Sequence, residues 1–278
     1  MRLSQNQKKK LLQLDGVKGV SAQGDEVILY TDKAHLRSYA TVDGMKVRTV
    51  LAAKDDETVI KMSLVTTTKQ LRKEKWRPIP GGVSAANIDC TAGTVGMRVF
   101  RHGEAMLLSN THIFGQKTGI EILQPSPADG GTDADKVGYL DDFVPINYEE
   151  TGIVNDVDAA VAYAEPLSDN ILDIGVIQEF ADPRVLLPVV KSGRNGFSRG
   201  VVIGTDGMFK VEYGRGDNIR SAIFDGVTIT SHMGDPGDSG SVLVSGDKAV
   251  GLLFAGSSIV TLFIPMAKAL RRLKLSLV

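Results

Sequence analysis

The sequence predicts a mainly β protein: two β-rich halves joined by a crossover, a small α+β module before them and a helix after them. Three observations predict it. From Gly82 onward, short strand signals recur about every 8–12 residues, the texture of sandwiches and barrels. Thirty glycines against ten prolines in 278 residues suit tight turns between such strands. Leu270, Leu273 and Leu277 repeat at helical spacing near the end of the chain.

Residues 1–70 read as the α+β module. "KKKLLQLDGV" carries a short helix, "DEVILYT" (Asp25 to Thr31) a strand, and "KAHLRSYATV" a second short helix. "GMKVRTVLAAK" and "ETVIKMSLVTT" add two strands. The stretch "KQLRKEKWRPIPGG", Lys69 to Gly82, turns from basic to Pro/Gly-rich and predicts a solvated linker over 71–82. Residues 83–278 form one larger unit. Its first half, about 83–165, holds "GTVGMRVF", "AMLLSN", "IEILQP", "KVGYL" and "VDAAVAYA". A helical or loop-like crossover covers 166–184. The second half, about 185–265, holds "VVKSG", "GVVIG", "FKVEYG", "VTITS", "GSVLV", "AVGLLFAG" and "IVTLFI", and a helix follows over 266–277.

Composition excludes several function classes. The net charge of -1 gives no general attraction to nucleic acid or anionic membrane, so neither is an expected partner. The longest apolar runs are too short to span a bilayer. The basic N-terminus has no apolar core behind it, unlike a secretory signal. A single cysteine, Cys90, rules out an intramolecular disulfide, and together these features predict a cytoplasmic setting. Cys90 itself reads as a buried small hydrophobe. No zinc spacing or phosphate-binding loop occurs, and "GRGDN" (Gly214 to Asn218) reads as a hairpin turn. The acidic loop "DGGTDADKVGYLDD" (Asp129 to Asp142) lacks the EF-hand pattern and reads as solvated. No metal or cofactor is expected.

The chemistry concentrates on "MGDPGDSGSVLV", Met233 to Val244. Glycines on both sides of Ser239 leave its hydroxyl open to approach. A serine hydroxyl needs a base, usually histidine, held by a third group. Four histidines are available. His35 lies in the N-terminal module, His102 in the turn-like "FRHGEA", and His232 seven residues before Ser239 on the same segment. His112, in "AMLLSNTHIFG", follows an apolar strand and so sits at the rim of a sheet. For the carboxylate, "NDVDAAVAYA" offers Asp158 at the mouth of a buried strand, with Asp156 as competitor. An acid set against a core needs a compensating partner, and an imidazolium is one.

These segments resemble those of chymotrypsin-like serine peptidases. "LLSNTH", "VDAAVA" and "GDPGDSGSVLV" are similar to that family's His, Asp and Ser segments, and "AVGLLFAGSS" to its substrate-flanking strand. The order His, Asp, Ser is also the family's. "LLSNTH", "LQPSPADGGT" (Leu123 to Thr132) and "NDVDAAVA" are most similar to disulfide-free bacterial members. The resemblance covers roughly 79–270. It implies two six-stranded antiparallel β-barrels and a serine endopeptidase acting through an acyl-enzyme. His112, Asp158 and Ser239 would be catalytic, with the backbone N–H groups of Gly237 and Ser239 as the oxyanion hole. Met233 would lie at the base of the first specificity pocket and Phe254, Ala255 and Gly256 along its wall, favouring an uncharged side chain, unless Met233 is simply core; His232 beside it would instead favour an acidic one. Asp238 would pair with a cleavage-generated N-terminus in secreted members, and "IPGGVSAAN" (Ile79 to Asn87) resembles one. Arg77 precedes Pro78, a bond poorly cut by trypsin-type enzymes, so the expectation is no activation cut, with Asp238 satisfied locally. The implied partner is a protein or peptide substrate. The alternative is an inactive protease-fold binding protein whose N-terminal module docks a protein partner.

Overall fold

The computed structural model describes residues 2–32, 41–42, 45–51, 72–214 and 219–278. His35, the strand expected in "ETVIKMSLVTT" and the "GRGDN" turn tip lie outside them, as does most of "KAHLRSYATV". The N-terminal elements are α1 (Gln5–Leu12), β1 (Val17–Gln23), β2 (Glu26–Thr31), β3 (Thr41–Val42) and β4 (Met45–Leu51). Ser4 caps α1 by a capping box with Gln7. The β1 strand is a departure from expectation: the sequence predicts no element between the helix signal ending at Val17 and the strand opening at Asp25.

Next come β5 (Ile79–Gly81), β6 (Ala86–Asn87), β7 (Met97–Arg101), β8 (Glu104–Ser109), the single-turn α2 (Thr111–Phe114), β9 (Glu121–Leu123), β10 (Lys136–Phe143) and β11 (Ala160–Ala164). Six of these form one antiparallel sheet in the order β6-β9-β10-β11-β8-β7. His102 and Gly103, both at positive φ, make the tight turn from β7 to β8. The crossover is extended: β12 (Leu167–Ile171), β13 (Gly175–Val176) and β14 (Glu179–Phe180), with β12 pairing both β13 and β5. Where a helix was an option, the hydrogen bonds are those of strands.

The second half supplies β15 (Pro188–Gly193), β16 (Gly196–Tyr213), β17 (Arg220–Ser231), β18 (Val242–Ser245), β19 (Lys248–Gly256) and β20 (Val260–Pro265). They run β15-β18-β19-β20-β17-β16, and β16 pairs back to β15, closing a six-stranded barrel. The separately predicted "GVVIG" and "FKVEYG" are one strand. The "GTDG" that separates the two signals is a run of register shifts against β17, with Asp206 at φ 57°. Helix α3 (Met266–Leu273) stops at Lys274 in the left-handed region, four residues short of expectation, and Ser276 then bridges to Phe100 of the first barrel.

The N-terminal strands continue the second barrel's sheet. β1 pairs antiparallel with β16, Gly19 opposite Phe209. The Phe209 ring occupies the space a Cβ on residue 19 would need, so glycine is required there. The predicted linker is anchored from its first described residue and is not a free solvated tether. Arg72 is buried, bonded to the Gly82 and Gly193 carbonyls, the Ser192 hydroxyl and Asp173.

Strand β11 explains how the site is positioned. Ala160 and Ala162 face the first barrel's interior beside Leu107 and Phe114. Ala159 and Val161 face the interface between barrels, with Leu108, Leu252 and Phe254. Both faces are buried through Ala162, so the sequence runs small and apolar without alternation there, and only Tyr163 turns outward. β8 pairs with it, Ser109 opposite Ala160, so both strands end at that interface. No helix among the described residues is long and apolar enough to cross a membrane.

Candidate active site

Each polar residue of "SNTH" has a defined partner at the rim of the first barrel. Ser109 Oγ donates to the Thr94 carbonyl at 2.8 Å. Asn110 Nδ2 donates to the Asp158 carbonyl at 2.7 Å, and Thr111 Oγ1 to those of Val144 and Ala159 at 2.9 and 2.8 Å. These bonds lock α2 to the chain entering β11. His112 and Asp158 are thereby brought together.

The Asp158 carboxylate is 0% exposed. Its Oδ2 lies 2.5 Å from His112 Nδ1, and its Oδ1 accepts the His112 backbone N–H at 3.3 Å. The second bond also satisfies one of the free N–H groups of the first turn of α2. A carboxylate only accepts, so Nδ1 is the donor in this pair and Nε2 is the ring nitrogen left free of Asp158. Asp156 does not share this role: it is exposed and pairs with Arg272 at 2.7 Å.

His112 and Ser239 line one cavity of about 570 Å³, together with Tyr213, Phe254, Ala255 and Gly256. Met233 is not among the residues lining it. Its side chain is buried in the second barrel's core with Val202, Leu253 and Phe263, so the pocket base expected from resemblance is not where this methionine lies. His232 is exposed, with Nδ1 on the Ser257 carbonyl at 2.9 Å.

Three hydrogen bonds shape the turn before Ser239. Asn195 Nδ2 donates to the Pro236 carbonyl at 2.9 Å, Thr94 Oγ1 to that of Gly237 at 2.8 Å, and the Thr94 N–H to that of Ser239 at 2.8 Å. With those carbonyls held, the N–H groups of Gly237 and Ser239 find no acceptor among the described residues. Gly237 sits at φ +97°, and a Cβ there would come within 2.8 Å of the Arg194 guanidinium.

Asp238, between them, is also buried. It takes Lys191 Nζ at 2.6 Å and the backbone N–H groups of Asn195 and Asp235 at 2.9 and 3.0 Å. Burial lowers the Lys191 ammonium from its ordinary value against the pull of Asp238. Arg194 fixes the neighbouring turn by a bidentate pair with Asp129, both contacts 2.6 Å. Asp129 also accepts from Ser84 and Ser126. Burial pushes its carboxyl up, but the bonds from Arg194 and Ser84 outweigh this and hold it below the usual range. This part of the acidic loop is therefore a structural clasp and not solvated.

Sequence reasoning missed Lys191, Thr94, Asn195 and Tyr213. A signal existed for Lys191: it is in phase with Val189 on a strand whose inward face is otherwise apolar.

No protein-family model matches the sequence, and no curated protein matches it. Solved structures do. Protease A of Thermobifida fusca is 18% identical, with a TM-score of 0.53 over 71% of this chain and 97% of that one. Nocardiopsis protease gives the same figures. An α-lytic protease homologue, N4, is 21% identical, with a TM-score of 0.52 over 72% of this chain and 99% of that one. The chain has the double-barrel fold of the bacterial chymotrypsin-like serine proteases.

Proposed function

We propose that this protein is a serine endopeptidase. The observation that carries the reading is the opening of Ser239 and His112 onto one cavity, with His112 bonded to fully buried Asp158. His112 Nε2 takes the Ser239 proton as the hydroxyl attacks a peptide carbonyl. Asp158 holds the imidazole in its reactive tautomer and stabilises the imidazolium. The developing oxyanion is met by the two unanswered N–H groups of Gly237 and Ser239. The imidazolium then protonates the leaving amine, and water clears the acyl-enzyme. Ala255 and Gly256, beyond the reach of β18, leave backbone along the cavity to pair with an extended peptide. Lys191 meets Asp238 without a newly made N-terminus, which supports a site needing no activating cut. The lone Cys90 supports a reducing, cytoplasmic setting.

The test is labelling by a fluorophosphonate. The full chain should react at Ser239, and both Ser239→Ala and His112→Ala should abolish labelling while keeping the circular dichroism of the parent. A folded parent that stays unlabelled would favour the alternative, a protease-fold binding protein without turnover.

A further inference from the structure

We propose that Tyr213 is a positioning residue, whose hydroxyl, delivered by the second barrel, fixes Asp158 and through it the His112 imidazole. Tyr213 ends β16, the long arm of the β16–β17 hairpin. Its hydroxyl donates to Asp158 Oδ2 at 3.2 Å, the same oxygen that faces His112 Nδ1. Its ring lies against the His112 ring, centroids 5.4 Å apart. One residue thus touches both members of the pair, from the other half of the molecule.

The surroundings hold it there. The Tyr148 and Phe224 rings pack on Tyr213 at 6.3 and 6.2 Å, and Phe224 continues to Phe254 at 4.8 Å. Lower on the same arm, Phe209 stacks with Tyr30 at 5.0 Å and β16 pairs with β1. Lys8 of α1 bridges Asp206 of β16 and Asp225 of β17. The N-terminal elements therefore brace the arm that carries Tyr213. Burial first, and then the Asp158 charge, raise the phenol well above its ordinary value, so it stays a donor throughout the neutral range. The titratable groups facing it are Asp158, His112 and Tyr148, with Arg220 over the Tyr148 ring. Removing the donor leaves more of the Asp158 charge for the imidazolium, which raises the pH at which His112 titrates.

The inference rests on the proposed roles of His112 and Asp158, and its test is chosen to fail separately. Tyr213→Phe keeps the ring and removes the hydroxyl; Tyr148→Phe is the control. Two quantities are measured on the full chain: the fluorophosphonate inactivation rate against pH, and the His112 titration by nitrogen NMR. Tyr213→Phe should inactivate roughly tenfold more slowly, a single hydrogen bond's worth, at unchanged probe affinity. Its acid limb and its His112 titration should both move to higher pH, and the control should match the parent. An unchanged His112 titration in a folded Tyr213→Phe protein overturns the inference. A parent that never labels sinks the peptidase reading instead, while the titration still decides the role of Tyr213.

Discussion

Two carboxylates are buried on either side of Ser239, and their partners differ. Asp238 faces Lys191, a cation held inside the second barrel. Asp158 faces His112 at the mouth of a cavity. Both burials need compensation, and each carboxylate receives N–H or O–H donors on both oxygens. The difference lies in the partner. A lysine buried against a carboxylate makes a fixture; an imidazole at the mouth of a cavity is a group able to take up and return a proton. On the proposed function, the same residue type serves the frame on one side of the serine and the chemistry on the other.

Four substitutions sharpen or break that contrast. Asp158→Asn should have the largest effect, lowering turnover by about 10⁴-fold through loss of the correct histidine tautomer, with the fold retained. Fluorophosphonate labelling rates will show it, and a loss under tenfold would place the two carboxylates in one class. Lys191→Met should act on stability, costing about 3–5 kcal/mol in urea unfolding because Asp238 is left buried without its cation. Asp129→Asn should change the response to acid. The Asp129 value is lowered in the fold, so its contribution is present above the ordinary carboxylate pKa of about 3.9 and disappears as pH falls below it. The parent should thus lose more of its urea midpoint between neutral pH and about pH 3 than this variant does. Asp156→Asn should do least, about 0–1 kcal/mol and unchanged labelling, since its pair with Arg272 is exposed.

Much of this was legible in the sequence, for identifiable reasons. "GDSG", "SNTH" and "VDAA" are local, so the residues that present Ser239, His112 and Asp158 could be read from short stretches. Strands with apolar runs, such as β8 and β19, announced themselves likewise. What escaped depends on partners distant in sequence. Nothing beside Tyr213 shows that it will touch Asp158, and nothing beside Asp129 shows Arg194. Resemblance alone points Met233 to a pocket base and its apolar character to the core; its packing with Val202 and Phe263 is the core reading. β1 is hard to read because "VKGVSAQ" has no apolar run, and only part of its pairing, that with β2, is local; the rest, with β16, lies far along the chain.

That last pairing bears on how the protein is made. The first strands leave the ribosome while the stretch that will flank them is still untranslated. Until Phe209 emerges to cover Gly19, the edge of β1 is open, and an open edge invites pairing with a neighbouring nascent chain. Because the pairing is so distant in sequence, this seam can close only after β16 has been made.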